Sequence, residues 1–71
     1  MLINKMKLVA LLFDKELDEE FIVNTTRYGR ACCKFTRDGL YVLDKHVIEW
    51  HLDGSLLQDL LTNHVSIEEE R

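Results

Sequence analysis

Proline does not occur in this chain of 71 residues, glycine occurs three times and cysteine twice. Without proline, which breaks helices and interior strands by removing a backbone donor, punctuation falls to the glycines and their Asx neighbours. The cysteines, Cys32 and Cys33, are adjacent. On an extended strand adjacent residues point to opposite faces, so this pair cannot staple distant segments. It also lacks the separated ligand pairs of a tetrahedral zinc site, and His46, His51 and His64 stand at no recognised ligand spacing. No metal and no cofactor is expected. Cys33 reads as a small core residue and Cys32 as a free thiol, which suits a reducing, cytoplasmic setting.

Also missing is any run near the roughly 18 apolar residues that cross a membrane. Leu8 to Phe13 follows Lys5 and Lys7, but it stops at Asp14 with no small-residue cleavage site, so it reads as a buried strand and not as a signal peptide. No membrane partner is expected. A chain this short buries only about 60% of its unfolded surface, so one domain over 1–71 has a thin margin of stability. With disulfide and metal excluded, a partner subunit is the remaining supplement, and a homodimer is expected.

What is present is strand-like and then helix-like. Met6 to Phe13 is expected as the first strand, behind five dispensable, disordered residues. Asp14 to Glu20 is a charged connection, and Phe21 to Thr26 a β-branched second strand. Tyr28-Gly29 turns the chain into a third strand, Ala31 to Thr36. Asp38-Gly39 carries the signature of a two-residue type I′ hairpin leading into Leu40 to Leu43. After Asp44-Lys45, His46 to Leu52 alternates as a fifth strand with Ile48, Trp50 and Leu52 on one face. Ser55 and Gln58 have the form of a capping box, and Leu56, Leu57, Leu60 and Leu61 form one helical stripe. Residues 68–71 read as a solvated tail. The fold class is therefore α+β: an antiparallel meander of about four to five strands with one short C-terminal helix on one face.

The hairpin register expected from Asp38-Gly39 sets Phe35 opposite Val42 and puts Ala31, Cys33, Phe35, Leu40 and Val42 on one side, as core. The other side carries Cys32, Lys34, Thr36, Tyr41 and Leu43. That half-apolar face, with Tyr41, Leu43 and Val47, is the expected dimer surface. Trp50 is expected to pack in the core against the helix.

Charge is sorted along the chain. Asp14 to Glu20 holds five carboxylates and one lysine, whereas Arg27 to Arg37 holds four cations and no acid, on a protein of net charge -4. Asp14, Glu16, Asp18 and Glu20 alternate like a calcium loop, yet the positions that need glycine and a bidentate glutamate hold Glu19 and Thr25. The segment is read as a solvated acidic loop, in which Glu16, Asp18, Glu19 and Glu20 attract a basic partner surface. Arg27, Tyr28, Arg30, Lys34 and Arg37 could instead hold an anion or a nucleic acid, but the overall negative charge opposes a polyanion, so nucleic acid is not the expected partner. Catalysis requires a shaped pocket and a nucleophile, and no motif supplies either; His46 and His51 are expected on opposite strand faces, unable to converge. The sequence thus points to a small, non-catalytic, acidic protein-binding module. It would act as an inhibitor or regulator, such as a phage or mobile-element antagonist of host machinery, by occluding a basic surface of a larger protein. The alternative is a nucleic-acid binder using the basic hairpin.

Overall fold

A computed structural model describes residues 4–68. Two short helices lie on one face of a five-stranded antiparallel sheet: α1 (Lys5–Leu12), β1 (Glu20–Thr25), β2 (Gly29–Thr36), β3 (Gly39–Asp44), β4 (Glu49–Leu52), α2 (Gly54–Leu61) and β5 (Ser66–Ile67). Sheet order is β4-β3-β2-β1-β5, a four-strand meander to which the C-terminal strand adds on the β1 edge. The α+β class read from the sequence is the observed one, with a short unexpected strand, β5, added at the C-terminal end and one expected element changed in type.

That element is the segment expected as the first strand, which is the helix α1. Its Leu, Met, Ala and Lys content favours a helix, and only Val9 is β-branched. Asn4 caps it, with Oδ1 accepting from the Met6 N–H at 2.9 Å, so at least Asn4 and Lys5 are ordered parts of the fold; residues 1–3 lie outside the described ones. Met6, Val9, Ala10 and Phe13, at helical spacing, pack on the core. The interleaved Leu8, Leu11 and Leu12 face solvent. Because both stripes are apolar, no period shows in the sequence, and the run resembles a buried strand.

The core joins Ala10 of α1 and Leu56 and Leu60 of α2 to Phe21, Val23, Ala31, Cys33, Phe35 and Leu40 of the sheet. Phe35 is its centre, with Phe13 stacked at 5.7 Å and Phe21 tilted at 5.0 Å between ring centroids. The β2–β3 hairpin keeps the expected faces but not the expected pairing. Thr36 pairs with Gly39 and Phe35 with Leu40, so the two loop residues are Arg37 and Asp38, and Val42 faces Cys33. Moving the loop by one residue shifts the register by two, which preserves side-chain parity. Gly39 takes the positive φ of +145°, and neither loop residue has one, so the turn is not type I′.

α2 starts earlier than a Ser55 cap would allow. Asp53 is the N-cap, its carboxylate accepting from the Leu56 N–H at 2.9 Å. Beyond it Ile67 pairs with Val23, and the Glu68 N–H bonds Ile22 O at 2.7 Å, so Glu68 belongs to the sheet edge and not to a free tail.

The fifth expected strand is shorter, because Ile48 adopts a left-handed conformation with φ 54° and Lys45 to Ile48 form a loop. At the same end the β2–β3 ladder stops at Cys33 opposite Val42, although β2 continues to Gly29. The β1–β2 and β3–β4 ribbons therefore splay apart around a cleft of about 390 Å³. His46 and His51, expected to diverge, both border it.

Candidate interaction surface

With both helices on the inner face, the outer face is uncovered among the described residues. Strand parity assigns to it Ile22 of β1, Cys32 and Lys34 of β2, Tyr41 and Leu43 of β3, and Trp50 and Leu52 of β4, because Ile22 pairs with Cys32, Lys34 with Tyr41, Tyr41 with Leu52 and Leu43 with Trp50. Six of these seven side chains are apolar or aromatic and form a patch across four strands, bordered on the same face by Glu20 and Asn24 of β1 and Arg30 and Thr36 of β2. Most are half-buried, and Leu52 is 56% exposed. Trp50 is thus not core against α2, as expected, but part of this open face.

One cation sits in the middle. Lys34 Nζ lies 4.4 Å from the centroid of the Trp50 ring, where the negative face of the indole attracts it. Glu20, opposite Lys34 across β1 and β2, accepts from Cys32 Sγ at 3.6 Å. Burial first, and then the hydrogen bond and charge of Glu20, raise the Cys32 thiol above its ordinary value, while Lys45 and Lys34 oppose this. Burial, followed by the charges of Cys32 and Asp53, pushes the inward-facing Cys33 up to about 12. Both are free, protonated thiols at neutral pH.

The acidic residues stay together in the loop between α1 and β1, at the end of the sheet where β1 begins; Glu20 is on the open face, whereas Lys15 reaches over the inward-facing Phe21. Asp14 and Asp18 adopt left-handed conformations, which aspartate tolerates, and the Asp18 N–H bonds Phe35 O at 2.7 Å, pinning the loop to β2. Glu16, Asp18, Glu19 and Glu20 are exposed. Within the loop Lys15 pairs with Glu19 at 3.5 Å, and Glu19 accepts from the Glu16 N–H at 3.1 Å. The loop is therefore an ordered negative collar and not a floppy connection.

The basic residues are not together. Arg27 and Tyr28 lie in the β1–β2 turn and Arg37 in the β2–β3 turn, at opposite ends of a strand about 25 Å long at ~3.3 Å per residue. Arg30 is held by Glu68, donating from Nη2 at 2.7 Å and Nε at 3.2 Å. Lys34 is over Trp50. Of the expected dimer residues, Tyr41 and Leu43 are on the open face, while Val47 is at the exposed tip of the β3–β4 loop beside Ile48.

Sequence reasoning missed Ile22, Trp50 and Leu52 as members of the surface. The alternation of Glu49 and His51 with Trp50 and Leu52 gave β4 two distinct faces, but not which of them looks inward. No helix among the described residues is long and apolar enough to cross a membrane. The chain matches no protein-family model, no curated protein and no solved structure.

Proposed function

We propose that this protein is a non-catalytic binding module that docks its open sheet face against a larger protein, with the acidic collar directed at a basic surface of that partner. The carrying observation is the uncovered apolar face centred on Leu43 and Trp50. An aromatic anchor inside a contiguous apolar patch with charged residues at its border is the usual anatomy of a protein interface. The collar of Glu16, Asp18, Glu19 and Glu20 and the net charge of -4 favour a cationic partner, whose encounter they accelerate. Occlusion of that partner's surface makes inhibition or regulation the natural outcome. The basic-hairpin reading has less support, since its cations are spread over both ends of β2 and two of them are engaged within the molecule.

Capture from the source cell with a set of baits tests this reading. The native bait should retain a protein with a basic surface, and binding should weaken toward about 1 M salt, where the screening length falls to roughly 3 Å. Baits carrying Leu43→Glu or Trp50→Ala should lose that protein. A triple reversal of Glu16, Asp18 and Glu19 to lysine should slow its association. Leu12→Glu, on the far side of the helical layer, should change nothing. Retention by the Leu43 and Trp50 variants, or nucleic acid as the retained species, would overturn the proposal.

A further inference from the structure

On one side the sheet ends in β4, and among the described residues no further strand lies beyond it. The phase of the β3–β4 ladder decides which backbone groups of β4 are left over. Asp53, opposite Leu40 by continuation of that register, donates its N–H to Leu40 O at 2.9 Å, and bonded and non-bonded pairs alternate along an antiparallel ladder. Val42 with His51 and Asp44 with Glu49 are therefore the bonded pairs. The N–H and C=O of Trp50 and of Leu52 point the other way, off the sheet, and none of the turn and cap hydrogen bonds among the described residues uses them.

Natural sheets blunt such an edge with lysine, proline or a bulge. From Val47 to Leu52 the chain contains neither lysine nor proline, and the β3–β4 register runs without a bulge. Val47, Ile48 and Leu52 are instead 57%, 80% and 56% exposed along it. The opposite edge differs, since β5 is only Ser66 and Ile67. A second copy of the chain matches the β4 edge. Antiparallel pairing about a two-fold axis at His51 sets Trp50 of each copy opposite Leu52 of the other, and each of these pairs exchanges both of its N–H···O bonds. Moving the axis to Trp50 or to Leu52 leaves a single bonded pair, because the flanking residues are Ile48, at φ 54°, and Gly54, which is helical. Strand parity then puts Trp50 and Leu52 of both copies on the same side, so the two open faces join across the seam. His51 meets its counterpart. Glu49 comes opposite Asp53 of the second copy, a like-charge contact that, with a net charge of -4 on each chain, keeps the pair weak.

We infer that this chain forms a weak two-fold dimer by antiparallel pairing of β4 with β4 of a second copy, which continues two five-stranded sheets into one. The seam is the backbone edge and not the face of Tyr41 and Leu43 on which the sequence places a dimer. It therefore stands apart from the partner proposed for that face.

The test is sedimentation equilibrium together with amide hydrogen exchange on the full chain, each from about 20 μM to about 1 mM. A dissociation constant of about 0.1 mM or tighter is expected, and by mass action the Trp50 and Leu52 amides should exchange about fourfold or more slowly at the higher concentration. The His51 amide, bonded to Val42 in either state, should change far less. Salt should tighten the dimer by screening its like charges, the reverse of its effect on a basic partner of the acidic collar. Leu52→Pro removes an outward donor that the single copy does not use, so it should keep the fold and abolish the dimer. Leu43→Glu on the open face and Leu12→Glu on α1 should leave the dimer intact. The exchange pattern of the native chain decides the matter even where Leu52→Pro does not fold. A monomer at about 1 mM, Trp50 and Leu52 exchange independent of concentration, or a dimer lost in Leu43→Glu or Leu12→Glu yet kept in Leu52→Pro would each overturn the assignment.

Discussion

Lys34 holds its ammonium 4.4 Å above the indole of Trp50, on the sheet face that no helix covers. A cation over an aromatic ring on a half-exposed surface contributes about 0.5–1 kcal/mol, so Lys34→Ala should cost the fold about that much in denaturant unfolding. A sharper readout exists because Trp50 is the only tryptophan. Iodide quenching of its fluorescence should fall in Lys34→Ala, since the positive charge that attracts iodide is gone, while neutral acrylamide should quench as well as before or better. A bound partner should protect Trp50 from both quenchers. Equal iodide quenching in native protein and variant would contradict the pairing.

Gly39 should not tolerate a side chain. Its φ of +145° disfavours any L residue, and a Cβ there would lie 2.9 Å from Leu52 Cδ1. Gly39→Ala should destabilise by about 1–3 kcal/mol in urea unfolding, chiefly through backbone strain, since the exposed tip of Leu52 can move aside. Gly54, at the start of α2 with no heavy atom within 4 Å of a built Cβ, is the contrast. Gly54→Ala should raise stability by about 0.5–1 kcal/mol through the unfolded chain.

Ile48 stores strain in the β3–β4 loop. A β-branched residue at φ 54°, 80% exposed, is held in a conformation that glycine or asparagine adopts readily. Ile48→Asn should therefore stabilise the protein by about 1 kcal/mol, measured as a higher urea midpoint with an unchanged slope. A loss of partner binding in the same variant would mean that the loop tip belongs to the interface.

Cys33 ties stability to alkaline pH. Its thiol is pushed up to about 12 from 9.0, so above pH 9 the unfolded chain releases a proton that the folded one keeps. The resulting stabilisation is present below the unfolded value and lost as pH rises through the folded one, with a slope approaching 1.4 kcal/mol per unit, roughly, between those limits. Urea midpoints measured from pH 8 upward should fall more steeply for the native protein than for Cys33→Ala, after allowance for the lower starting stability of the variant. Cys32 gives the complementary readout. Glu20 helps to raise its thiol, so Glu20→Gln should increase the thiolate fraction and speed reaction with a disulfide reagent at pH 8, whereas Cys33 should react only on unfolding.

The comparison of α1 with the β2–β3 hairpin separates what was legible from what was not. In the hairpin an error of one residue in the loop left every side chain on its expected face, because strand parity repeats every two residues and the register moved by two. The acidic loop was legible for a simpler reason: five carboxylates in seven positions cannot be packed together. For α1 the sequence signal was genuinely degenerate, since Leu8, Leu11 and Leu12 mask the stripe of Met6, Val9, Ala10 and Phe13.

Taken alone, the sequence determined the α+β class, the inward face of β2 and β3, the amphipathic helix after Gly54 and the separation of acidic from basic segments, because each rests on local pattern or charge. Tertiary structure decided that both helices share one face of the sheet, that Trp50 looks away from them, and that Arg27 and Arg37 stand at opposite ends of a strand while His46 and His51 share a cleft. The reason is physical. Which face of a strand is buried, and which distant residues meet, depends on where the helices dock and where one strand ladder stops, and these are set by packing around Phe35 rather than by any short stretch of the chain.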